Sequence, residues 1–86
     1  MGRTIYTKKQ FKIYRIAPNG FIVHNTSKVF KVGHTHINNY NTAKYIINLA
    51  CNKSIPKKRL SNYLLESLIR ISTDEKYKLC IQRLMR

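Results

Sequence analysis

The sequence predicts the α+β class: a three-stranded antiparallel meander followed by three α-helices packed on one sheet face. Three observations predict it. Side chains between Gln10 and Val32 alternate with a period near two, the apolar spacing turns helical near Asn41, and Pro and Gly punctuate the boundaries. The 86 residues make one small domain, 1–86. A chain of this length buries only roughly 60–65 % of its unfolded surface. A hydrophobic fraction of 43 %, with no low-complexity run, excludes a disordered chain.

Residues 1–9, with Arg3, Lys8 and Lys9, read as a basic arm or a lead-in to the sheet. The sheet itself spans residues 10–32. Its strands are Phe11-Lys12-Ile13-Tyr14-Arg15-Ile16, Phe21-Ile22-Val23-His24 and Lys28-Val29-Phe30-Lys31-Val32. Between the first two, Ala17-Pro18-Asn19-Gly20 suits a three-residue loop with a bulge, since proline presets φ and glycine supplies a left-handed position. That loop sets Ala17 opposite Phe21, Arg15 opposite Val23 and Ile13 opposite Asn25. A tight turn at Thr26-Ser27 then sets Val23 opposite Phe30 and Phe21 opposite Val32. One face becomes Phe11, Ile13, Phe21, Val23, Phe30 and Val32, a plausible core. The other carries Lys12, Tyr14, Ile16, Ile22, His24, Val29 and Lys31.

The helical part covers residues 41–86. In the first helix Ala43, Ile46, Ile47, Ala50 and Cys51 share one face, and Asn39 or Asn41 is the N-cap. Ser54-Ile55-Pro56 breaks it. A second helix is expected from about Lys57 to Ile71, with Leu60, Leu64, Leu65, Leu68 and Ile71 facing inward. Leu60, Tyr63, Leu64, Leu68 and Ile71 could alternatively form the seam of a homodimer. Ser72 and Glu75 read as a capping box for a third helix that runs to the C-terminus and buries Tyr77, Cys80, Ile81 and Leu84.

Charge points to function more clearly than any motif. Seventeen Lys and Arg face three acids, a formal net charge of +14. No acid precedes Glu66, while twelve basic side chains lie between Arg3 and Arg59. Such self-repulsion destabilises the compact state, and an anionic polymer that releases counterions on binding offsets it. The expected function is therefore non-catalytic binding of nucleic acid, DNA or RNA, through a basic sheet face and a basic helix start. The alternatives are a module that docks on an acidic surface of a protein partner, a small basic ribonuclease, or a charge that serves solubility alone. The abundance of Ile, Lys, Asn and Tyr points to an AT-rich genome, such as a low-GC bacterium or its phages, and so to a phage or mobile-element regulator.

The candidate binding residues are Lys12, Tyr14, Arg15 and Lys31 on the sheet, with Lys57, Lys58 and Arg59 at the start of the second helix. Aromatic and basic side chains interleaved on an exposed sheet suit groove insertion or base stacking. Three cations at a helix start oppose the dipole, and a phosphate held on the free N–H groups there removes the conflict. A small sheet followed by a helix is similar in outline to the sheet-type DNA-binding domains of phage integrases and plant AP2 factors, with none of their motifs.

Gly33-His34-Thr35-His36 resembles the GHTH ligand segment of calcineurin-like metallophosphatases over four residues. That family also needs Asp-containing metal motifs, and this chain has one Asp, Asp74. No metal site and no cofactor are expected, and His34 and His36 read as capping, packing or phosphate-contacting residues. For a ribonuclease, His24, His34 and His36 with Tyr14 or Tyr40 could supply acid–base groups, with no spacing specific to that chemistry. Cys51 and Cys80 read as buried free thiols. The N-terminus has no apolar run of a signal peptide, and nowhere do 18 apolar residues run together, so no membrane role and a cytoplasmic location are expected.

Overall fold

The structure, a computed structural model, describes residues 2–85. In chain order it contains β1 (Arg3–Lys8), β2 (Phe11–Ala17), β3 (Gly20–Asn25), α1 (Phe30–Gly33), β4 (His34–Ile37), α2 (Tyr40–Asn52), α3 (Asn62–Ile71) and α4 (Glu75–Gln82). The α+β class holds, but the sheet has four antiparallel strands in the order β1-β2-β3-β4 rather than three. None of the helices among the described residues is long and apolar enough to cross a membrane.

The expected arm is a strand. Thr4, Ile5, Tyr6 and Thr7 are residues that suit a pleated surface, and β1 pairs with β2 from Arg3↔Arg15 to Lys8↔Phe11, with a bulge between Thr4 and Tyr6. Met1, at the start of that expected arm, lies outside the described residues. Tyr6 meets Tyr40 edge-on, and the Lys8 ammonium donates to Asn48 Oδ1 at 2.6 Å. Both contacts tie β1 to α2.

The expected third strand, Lys28–Val32, is not one. Asn25 is fully buried, and its Oδ1 accepts from the Ser27 amide at 2.9 Å and the Ser27 hydroxyl at 2.6 Å. This Asx turn takes the chain off the sheet before position 28 can pair. Residues 30–33 instead close one helical turn, leaving Val32 exposed and Phe30 only half-buried, both of them expected in the core. The strand that does pair with β3 is β4, from Phe21↔Ile37 to His24↔His34. It wins because Thr35 hydrogen-bonds Ser67 in the interior and Ile37 enters the core.

The β2–β3 hairpin keeps its expected faces with its register moved by two residues. Ile13 sits opposite Val23 and Arg15 opposite Phe21. A shift of two preserves which side chains point inward, so the alternation could not exclude it. The bulge falls at Ile16, between Arg15 and Ala17, and Gly20 keeps a negative φ rather than the expected left-handed one.

Phe11, Ile13, Phe21, Val23 and Ile37 form the sheet side of the core, covered by Ile46, Ile47, Leu65, Leu68 and Ile71 from α2 and α3, with Tyr77 and Ile81 from α4. Leu68 and Ile71, grouped in the sequence with a dimer seam, are therefore inside the chain's own core. Of the two expected cap candidates it is the Asn39 side chain that caps α2, accepting from the Thr42 amide at 3.0 Å. The next helix starts at Asn62, capped by Ser61, and not near Lys57. Three consecutive cations in a first turn oppose the helix dipole, and a serine cap beyond them removes the conflict by starting the helix later. At the last helix Asp74, not Ser72, is the cap. Its Oδ1 accepts from the Tyr77 amide, which together with Lys53 holds this carboxyl below its usual range. The Ser72 hydroxyl instead donates back to the Leu68 carbonyl at the end of α3. α4 stops at Gln82 rather than at the C-terminus, so Leu84 is exposed, as is Cys80, while Cys51 is half-buried.

Candidate nucleic-acid interface

α2 and α3 pack on the sheet face that carries Phe11, Ile13, Phe21 and Val23. The pleat sends the intervening residues to the opposite face. One cross-strand row there is Thr7, Lys12, His24 and His34, and the next is Thr4, Tyr14, Ile22 and His36. All three histidines of the chain thus lie on one surface, although the sequence spreads them between positions 24 and 36 on two different strands.

The rings on this face touch in series. Tyr14 and His24 have centroids 6.5 Å apart, His24 and Phe30 5.1 Å, Phe30 and His34 4.1 Å, and His34 and His36 5.3 Å. Phe30 and His34 are parallel to within 5°, while the planes of His24 and Phe30, and of His34 and His36, meet near 70°. α1 places Phe30 here: its single turn follows the end of β3 and lays the ring against the imidazoles. Gly33 is needed for this turn, because a Cβ at that position would fall 2.5 Å from the Lys28 Cβ.

Backbone carbonyls fix two of the imidazoles. His24 Nε2 donates to the Lys28 carbonyl at 3.1 Å, and His34 Nδ1 donates to the Phe30 carbonyl at 2.5 Å. These bonds assign the protons of the neutral rings and leave His24 Nδ1 and His34 Nε2 as acceptors. His24 Nδ1 is buried without a hydrogen-bond partner among the described residues. The β4 edge is held from the other side: Tyr63 donates to the His36 carbonyl, and the Arg70 guanidinium donates to the carbonyls of His34 and Lys31 at 2.6 and 2.8 Å. Lys28 reaches back to the carbonyls of Arg70 and Ser72. Burial, aided by the charge of Lys78, lowers its pKa. Arg70 and Lys28 are therefore cations engaged in holding the platform. No three His, Cys, Asp or Glu side chains among the described residues gather as metal ligands do.

The seven residues singled out in the sequence do not form one surface. Lys12 and Tyr14 stand on the ring-bearing face, both half-buried. Lys31 is exposed on α1 at its border rather than on a strand. Arg15 has the inward parity. Its guanidinium lies 6.0 Å from the Phe21 ring and donates to the carbonyls of Ala17 and Pro18 at the hairpin end. Lys57, Lys58 and Arg59 belong to the loop between α2 and α3, on the helical side, where Lys58 Nζ lies 5.0 Å from the Tyr45 ring. Sequence reasoning misses Phe30, His34 and His36 as members of one ring-bearing face. The alternation His34-Thr35-His36-Ile37 is the available signal, since it puts Thr35 and Ile37 inside and both imidazoles outside. Tyr40, weighed as an acid–base partner for the histidines, packs on Phe21 at the inner face instead. The chain matches no protein family, and neither a curated protein nor a solved structure is significantly similar to it.

Proposed function

We propose that this protein binds single-stranded nucleic acid, DNA or RNA, on the ring-bearing face of its sheet, without catalysing a reaction on it. The observation that carries this reading is the unbroken series Tyr14–His24–Phe30–His34–His36 on the face opposite the long helices. Unpaired bases stack on aromatic and imidazole rings whatever their sequence. A duplex hides its base faces and would meet this surface through the backbone alone. Lys12 within the row and Lys31 at its border offer cations to the phosphates, and the net charge of +14 favours any polyanion.

Fluorescence anisotropy with a labelled oligonucleotide, single-stranded and annealed to its complement, at three salt concentrations tests the proposal. The single strand is expected to bind tighter than the duplex. Tyr14→Ala and His36→Ala should each weaken it by about tenfold, the effect of removing one base–ring stack, and leave the salt slope unchanged. Lys12→Gln and Lys31→Gln should flatten the slope by about 0.7 for each phosphate no longer neutralised. Tighter binding to the duplex, or ring variants indistinguishable from the wild type, would overturn it.

A further inference from the structure

The loop between α2 and α3 has a composition that a phosphate backbone does not explain. Its cations Lys57, Lys58 and Arg59 are exposed, and so is Ile55 between them and the end of α2, at 50 %. Together with Tyr45 and Leu49 of α2, Ser54, Ile55, Lys57 and Lys58 line an open groove of about 580 Å³, within the size range of about 300–1,000 Å³ usual for ligand sites. None of the chain's three acids lines it. On the far side of the same loop, Pro56, Leu60 and the exposed Leu84 continue the apolar surface past Arg59.

Hydrogen bonds fix the root of the groove. The buried Tyr77 hydroxyl reaches the carbonyls of Leu49 and Ser54 at 3.2 and 2.7 Å, and the Ser54 amide donates to the Leu49 carbonyl at 3.0 Å. These bonds fix the loop at its root while the residues beyond it stand in solvent. Lys58 lies over the Tyr45 ring, which draws one cation to the apolar wall.

We infer that this groove is a docking site for an acidic amphipathic segment of a protein partner. Charge complementarity selects the occupant. Phosphates would satisfy the three cations and leave the exposed Ile55 and the outer edge of the half-buried Tyr45 ring without an apolar partner. A segment with carboxylates on one side and Leu or Phe on the other satisfies both, with its apolar side chains on Ile55 and the Tyr45 ring and its carboxylates on Lys57, Lys58 and Arg59. The groove lies on the helical side and does not depend on the nucleic-acid reading of the sheet.

Titration of the ¹⁵N-labelled protein tests this with four probes: a synthetic amphipathic peptide of Glu and Leu, its scramble, oligo-glutamate, and a single-stranded oligo-thymidylate. The amphipathic peptide is expected to move the amide signals of Tyr45, Leu49, Ile55 and Lys58. Ile55→Ser and Lys58→Glu, both at exposed loop positions, should each weaken it by about tenfold, as at a protein interface. Melting curves of both variants show that they fold, and Ile55→Ser, which keeps the charge, should leave the affinity for oligo-thymidylate unchanged. The inference is overturned if the scramble or oligo-glutamate binds as well as the amphipathic peptide, or if Ile55→Ser has no effect. It is equally overturned if the groove answers to oligo-thymidylate or the peptide's signals fall on the sheet.

Discussion

Asn25 decides where β3 ends, and it does so from a fully buried position. Its amide donates to the Ile71 carbonyl at 2.8 Å, while its oxygen takes the amide and hydroxyl of Ser27. One side chain thus turns the chain off the sheet and ties that turn to the end of α3. Asn25→Ala leaves the Ile71 carbonyl and the Ser27 amide unpartnered beside a cavity, and should cost about 2–4 kcal/mol in denaturant unfolding. Asn25→Asp removes the donor and turns a carboxylate toward that carbonyl, which raises the carboxyl's pKa in the folded state. Its stability relative to the wild type should therefore be lowest near neutrality and recover on acidification. Tyr77 carries the same sign of linkage in the alkaline range. Burial, with Tyr45 adding to the effect, pushes its hydroxyl up to about 12. A folded pKa above the ordinary value means that the neutral phenol stabilises the fold fully below pH 10 and that this contribution is lost as pH rises through about 12. Tyr77→Phe should cost about 1–2 kcal/mol at neutral pH and show a smaller alkaline loss of stability than the wild type.

At the scale of elements, α2 ends on Lys53, a non-glycine residue in the left-handed region at φ 50°, ψ 45°, whose amide closes the helix onto the carbonyls of Ala50 and Leu49. A side chain there costs about 1 kcal/mol relative to glycine. Lys53→Gly forfeits an exposed ion pair with Asp74, worth about 0–1 kcal/mol. Thermal melts should show the variant equal to or a few degrees above the wild type. A clear loss would mean that the ion pair outweighs the strain. The helices show what is legible in the sequence. α2 is legible to its cap because Asn39 and the spacing of Ala43, Ile46, Ile47 and Ala50 agree, and local propensity and core contact then point the same way. The start of α3 is not, because Pro56 resembles a helix start, whereas Ser61 and the repulsion of Lys57, Lys58 and Arg59 set the boundary. The sheet is legible in its faces and not in its strands. Lys28–Val32 and His34–Ile37 alternate equally well, and long-range contacts choose between them: Asn25 bonds a carbonyl 46 positions away, Thr35 bonds Ser67, and Ile37 enters the core. That same choice brings His34, His36 and Phe30 onto the outer face, so most of the candidate interface depends on tertiary contacts that periodicity does not contain.

For the whole molecule, the governing quantity is a charge of +14 carried on a body of 33 × 24 × 20 Å. At about 0.01 M salt, where the Debye length is roughly 30 Å, cations on the sheet, on α1 and in the α2–α3 loop repel one another across the whole fold, and at about 0.15 M, where it is roughly 8 Å, that repulsion is largely screened. Two acids are already paired, Asp74 with Lys53 and Glu75 with Lys78, and do little to offset this. Added salt should therefore act with opposite signs on folding and on binding. Without nucleic acid, the melting temperature should rise as sodium chloride is raised from low to moderate concentration, since screening weakens the self-repulsion of the native state more than that of the expanded chain. Over the same range the affinity for a single-stranded oligonucleotide should fall, as counterions become less favourable to release. At low salt, an oligonucleotide at a hundred times its dissociation constant should add about 2.7 kcal/mol to stability by linkage, and so raise the melting temperature by roughly 10–20 °C for a domain of this size. The Tyr14→Ala variant keeps the charge and lacks a stacking ring, so its melt without ligand should respond to salt like the wild type while the oligonucleotide-induced rise shrinks. A rise that survives intact in Tyr14→Ala would place the bound polyanion away from the sheet and reduce the rings to packing residues of an otherwise basic surface.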